Sequence, residues 1–143
     1  MGDNPMSRPL EDRTNLIVCS TCRFSKDARE DAGGRRGGAL FAEALAAALV
    51  EHRCRDRVEL QEMPCLFACT SHCTAYIRAE RRLGYVLGRF VPSREHAVAL
   101  LDYISHYLDS SDGVVPYANW PDGVKGHFLV RVPPRGFVWA QFR

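Results

Sequence analysis

From Thr14 the chain opens on a run of β-formers, 14–18 (TNLIV), that ends at Cys19 and predicts a first strand. Residues 23–38 (RFSKDAREDAGGRRGG) are charged and glycine-rich, have no apolar period and read as a surface loop. From Ala39 the period changes. Leu40, Phe41, Ala44, Leu45, Ala48 and Leu49 recur at helical spacing among strong helix formers and predict a helix over 38–53. Residues 57–62 (RVELQE) alternate apolar and polar, as a half-buried strand does, and Pro64 ends them. Residues 74–79 (TAYIRA) and 84–90 (GYVLGRF) predict a hairpin across a polar turn. Ser93 suits a helix N-cap, with Glu95 near the positive helix end. Ala97, Leu100, Leu101, Ile104 and Leu108 then mark a second helix over 94–109.

The tail from residue 110 is rich in glycine, proline and aromatics, including Tyr117, Trp120, Phe128, Phe137, Trp139 and Phe142. Residues 127–132 (HFLVRV) read as one more strand. So apolar a tail is expected to pack on the domain or on a partner, and its aromatics leave room for a homodimer. The order strand, helix, strand, cysteine loop, hairpin, helix is that of a thioredoxin-like α/β fold. The expected organisation is a flexible leader at 1–13, a thioredoxin-like cysteine-ligated metal domain at 14–109, and a C-terminal extension at 110–143.

The chain is 143 residues long, enough for one domain with a real core. No apolar run approaches the roughly 18 residues of a membrane span. The polar leader lacks the apolar segment of a secretory signal, so a cytoplasmic protein without membrane contact is expected. The 17 acids are mixed with 19 basic residues and the net charge is only +2, which disfavours nucleic acid as a partner. No serine–histidine–carboxylate pattern or paired carboxylates argue for hydrolysis, and a non-enzyme is expected.

The six cysteines change the picture. In a reducing compartment clustered cysteines more often bind metal or do redox chemistry than form disulfides. Cys19 and Cys22 form a C-x2-C at the end of the first strand, and Cys65 and Cys69 a C-x3-C just past the second. If these strands are parallel neighbours joined by a crossover helix, both loops leave the same sheet edge. Four thiolates can then meet, as a [2Fe–2S] or [4Fe–4S] cluster or a structural zinc requires. A C-x2-C after a strand can also be a thioredoxin-type redox pair, but that motif opens directly into a helix, and here a charged loop follows. Cys73 is an alternate ligand, and His72 a candidate beside it. Cys54 reads as core, and His52, His96, His106 and His127 as ordinary, scattered histidines. Arg35 and Arg36 lie in the solvated loop, where they could steer an acidic partner.

The segment Cys65-Leu66-Phe67-Ala68-Cys69, followed by Tyr76-Ile77 and then Gly84-Tyr85-Val86, resembles the thioredoxin-like [2Fe–2S] ferredoxin family over residues 14–108. Val18-Cys19-Ser20-Thr21-Cys22-Arg23, His72-Cys73 and Arg131-Val132-Pro133-Pro134 resemble, nearly end to end, a bacterial family labelled predicted metal-binding proteins. The resemblance implies ligands at Cys19, Cys22, Cys65 and Cys69. It implies a one-electron carrier or cluster-bearing accessory protein, with a redox or metal-accepting protein as partner. The alternative, favoured by the extra soft ligands Cys73 and His72 beside the pair, is a protein handling zinc or cobalt, and the resemblance implies a context linked to cobalamin.

Overall fold

The computed structural model describes residues 13–68 and 71–137. The leader expected at 1–13 therefore lies, but for Arg13, outside the described residues, as do Cys69, Trp139 and Phe142. Five strands form one sheet: β1 (Thr14–Cys19), β2 (Val58–Met63), β3 (Ala75–Ala79), β4 (Gly84–Leu87) and β5 (Phe128–Val132), in the order β2-β1-β3-β4-β5. Helix α1 (Gly37–Glu51) crosses from β1 to β2, and α2 (Arg94–Asp109) follows the hairpin. Both helices fall within two residues of their expected spans. Short 3-10 turns at 55–57, 117–119 and 122–124 complete the connections.

β1 and β2 are parallel, with Thr14 opposite Val58 and Cys19 opposite Met63. β3 runs antiparallel to β1 and β4 antiparallel to β3. The crossover helix makes the parallel pair possible, because a tight turn cannot reverse the chain twice. β1 is paired on both sides and buried along almost all its length, its polar Thr14 and Asn15 included.

The core lies between one face of the sheet and the helices. Leu16, Val18, Ile77 and Leu87 meet Phe41 and Leu45 of α1 and Leu100, Leu101 and Ile104 of α2, all of them fully buried. The helical face expected on α1 is shifted. Phe41, Ala42, Leu45 and Ala48 are buried, while Leu40, Ala44 and Leu49 sit at its margin. Ser93 caps α2, its hydroxyl accepting the His96 amide at 3.2 Å. Cys54 is core, 2% exposed, with its sulfur 3.9 Å from the Leu101 carbonyl.

The strand expected in the tail forms and becomes the fifth strand, antiparallel to β4 with a bulge at Val86/Leu87. Phe128 then joins Tyr85, Tyr103 and Trp120 at ring separations of 4.6–5.4 Å. Trp120 is anchored by its indole N–H, which donates to the Val115 carbonyl at 2.8 Å. No helix among the described residues is long and apolar enough to cross a membrane.

Ile104→Ala removes a side chain buried between α2 and the sheet and should cost about 2–5 kcal/mol. Ser93→Ala removes only the cap and should cost about 1 kcal/mol. Urea unfolding of the two variants checks the ranking; equal midpoints would contradict this packing.

Candidate metal and thiol centre

The end of β1 is clamped from both sides. The Cys19 amide donates to the Thr74 carbonyl at 3.0 Å and the Ser20 amide to the Met63 carbonyl at 2.9 Å. The chain then turns through Cys22 and runs out along the basic loop. Asp31 ties that loop, its carboxylate accepting the amides of Gly33 and Arg35 at 2.9 Å. The loop comes back to its starting point. The amide of Gly38, in the first turn of α1, donates to the Cys22 carbonyl at 3.2 Å. A Cβ on Gly38 would lie 1.8 Å from the Cys19 carbonyl oxygen, and one on Gly37 2.3 Å from that of Arg23. Only glycine permits this approach. The loop expected after the C-x2-C is present, 14 residues long (23–36), yet it returns so that α1 starts against the cysteine turn.

Cys19 and Cys22 are both thiols, 2% and 3% exposed. A hydrogen bond from Cys22 pulls the Cys19 thiol down to about 5, against the opposing effect of burial; the amides of Leu66 and Thr21 and the Thr21 hydroxyl add to the lowering. Cys22 moves the other way, because it holds the proton shared with Cys19 and is itself buried. In the metal-free chain the pair therefore carries one negative charge, centred on Cys19.

The second loop arrives where the parallel register sends it. The Cys19 sulfur lies 3.9 Å from the Pro64 carbonyl and is reached by the Leu66 amide, so the backbone on both sides of Cys65 touches it. The Thr21 hydroxyl also donates to the Pro64 carbonyl, tying the two loops together. Cys65 is half-buried, its sulfur accepting the Phe67 amide at 3.3 Å. Phe67 adopts a left-handed φ of 58° and is 92% exposed. Cys69, the fourth expected ligand, lies outside the described residues.

Cys73 is fully buried in the core at a φ of 51°, its sulfur 4.0 Å from the Arg23 carbonyl. Burial, then the charge on Cys19, pushes its thiol up to about 12. His72 presents a buried Nδ1 with no hydrogen-bond partner among the described residues, and burial lowers its pKa. The histidines expected to be scattered are partly gathered. His127 stacks on Phe90 at 4.5 Å, His96 packs edge-on to both rings, and His72 feels the charge of His127. No sequence spacing signals this, because the three sit on different segments. Among the described residues, no three cysteine, histidine or carboxylate side chains already converge at metal-binding distance.

Residues 16–134 match the family described as "Protein of unknown function (DUF1636)". The chain belongs to that family. No curated protein matches the chain. Among solved structures, this family member is similar to a thioredoxin-like [2Fe–2S] ferredoxin from Aquifex aeolicus. The identity is 12%, the match covers 88% of this chain and 98% of that one, and the TM-score is 0.51. At that identity the likeness establishes the fold, which is thioredoxin-like α/β as the element order implies.

The charge on the pair has a direct signature. In the metal-free protein, thiolate ultraviolet absorbance should be present at neutral pH and fall away as pH drops through about 5. Cys22→Ala removes the largest cause and should return the transition toward the ordinary thiol value of about 8.5. A wild-type transition already at the ordinary value would refute the shared-proton arrangement.

Proposed function

We propose that the protein holds a [2Fe–2S] cluster through Cys19, Cys22, Cys65 and Cys69, and serves as a one-electron carrier or cluster-bearing accessory protein. The observation that carries this reading is the register of β1 and β2. Cys19 stands opposite Met63, so the C-x2-C and the Cys65 loop leave one sheet edge and meet at the Cys19 sulfur. The donor set suits such a cluster: soft thiolates on two loop ends, one of them already ionised at neutral pH. A bound cluster would supply one-electron redox chemistry. The chain's own part is to position sulfur and to tune it. The Leu66 and Thr21 amides aimed at Cys19 draw electron density from that sulfur, which raises a reduction potential. The same-fold ferredoxin supports the reading as a precedent for the scaffold. The partner in this reading is a redox or metal-accepting protein.

A second reading is favoured by one observation. Cys19 and Cys22 form a hydrogen-bonded pair with one depressed thiol, beside the first turn of α1. That is the environment of a thiol–disulfide pair, in which the thiolate attacks a disulfide sulfur.

Anaerobic purification, with the visible spectrum, iron and acid-labile sulfide measured on one sample, separates these readings. The cluster predicts coloured protein with about two iron and two sulfide per chain. Cys65→Ser or Cys69→Ser should lose most of both, and Cys54→Ser neither. Zinc without sulfide after attempted reconstitution would replace the cluster by a metal-handling role. A colourless chain that exchanges disulfides through Cys19 would establish the second reading instead.

A further inference from the structure

The face of the Cys19–Cys22 turn toward the basic loop is hollow. A cavity of about 540 Å³ opens there, with Cys19 and Cys22 in its wall and Arg23, Lys26, Arg29 and Arg36 around it. That volume falls within the range of small-molecule sites. None of its described lining residues comes from the 64–73 loop that carries Cys65.

The sorting of charge in this loop is not what the sequence alone would produce. Asp27, Glu30 and Asp31 alternate with the bases along the chain, yet no acid among the described residues lines the cavity. Asp31 is engaged by the Gly33 and Arg35 amides. The one basic residue of the loop that points elsewhere, Arg35, is neutralised by Glu43. Among the described residues, none of the four cavity bases pairs with a carboxylate. Arg36 is held instead by the Thr21 carbonyl, to which its guanidinium donates at 3.0 Å.

The helix start compounds the excess. Arg36 is itself the N-cap of α1, no side chain caps the helix, and its first turn holds no acid. Helix N-termini favour Ser, Thr, Asp or Asn at the cap and negative charge in the first turn. Here a cation occupies the cap, three more bases line the same cavity, and a near-buried thiol pair forms its wall. Local preference is broken at the cap and in the first turn, and among the described residues the four bases around the cavity are offset only by the single charge on the Cys19–Cys22 pair.

We propose that this cavity binds a small polyanion, a molecule bearing two or more carboxylate or phosphate groups, and seats it against the Cys19–Cys22 pair. Bidentate guanidinium contacts suit both groups. A concavity of this volume suits a small molecule.

Isothermal titration of the full-length, metal-free chain at low salt tests this, with tricarballylate and pyrophosphate as separate probes. Saturable one-to-one binding of at least one probe, weakening as salt is raised, is expected. The probe that binds more tightly distinguishes carboxylate from phosphate. Arg29→Ala should weaken binding about tenfold, the size of one charge-assisted contact. Arg35→Ala removes the same charge from the same loop but outside the cavity, and should change affinity less than twofold. Three results would overturn the proposal: no saturation by either probe, equal losses in the two variants, or binding that vanishes once metal or cluster is loaded. The last would assign the cavity's charge to the cofactor. Because binding is first read on metal-free protein, failure of the cluster reading leaves this test intact.

Discussion

Everything near the thiols depends on how closely α1 approaches the end of β1. A right-handed crossover must bring its helix back over the strand it left. Here the return is so tight that backbone meets backbone: Gly37 sits against the Arg23 carbonyl and Gly38 against that of Cys19. The Gly38 amide closes the contact on the Cys22 carbonyl. Two adjacent glycines in a helix cost stability, on the order of 0.5–1 kcal/mol each. Their placement at the first turn limits that cost and lets the cysteine turn be held by main-chain hydrogen bonds on three sides: Thr74, Met63 and Gly38. The position of Cys19 is thereby a property of the sheet and helix, not of a loop.

Rigid placement has an electrostatic consequence. A thiol buried to this degree should resist ionisation, and Cys73 and Cys54 do so. Cys19 is as little exposed as Cys54, yet moves the other way. The difference is donors. Cys22 keeps its proton and donates it in a hydrogen bond to the Cys19 sulfur, and the Leu66 and Thr21 amides converge on the same sulfur. Such convergence requires β2 to end in register with β1, because Leu66 lies three residues past the Met63 that pairs with Cys19. Register, burial and charge are one arrangement seen at three levels.

Much of this was legible from the residues. The two helices, the β1–β2 crossover, the hairpin and the adjacency of the cysteine loops follow from local period and turn chemistry, which act over a few residues. Helix α2 is readable to its ends because Ser93 and the apolar stripe of 97–108 agree. What was not legible depends on distant segments. The return of α1 to the C-x2-C is hidden by a 14-residue charged loop. The gathering of His72, His96 and His127 around Phe90 joins three segments with no common spacing. Likewise, alternating acids and bases in 23–36 look like an ordinary solvated loop until folding turns the acids away from the cavity and four of the bases toward it.

The two halves of the thiol centre are built differently, and the contrast bears on what the site can do. Cys19 and Cys22 are buried and braced by backbone. The other half is carried by a loop whose Cys65 is half-buried and whose Phe67 is both exposed and left-handed, a conformation unfavourable for a bulky side chain. Backbone strain of this kind persists only where the surrounding structure over-determines the residue, and it clusters at ligand clamps and switch regions. The braced sulfur pair and the strained, exposed loop meet at one atom, the Cys19 sulfur, which the Pro64 carbonyl and the Leu66 amide both reach.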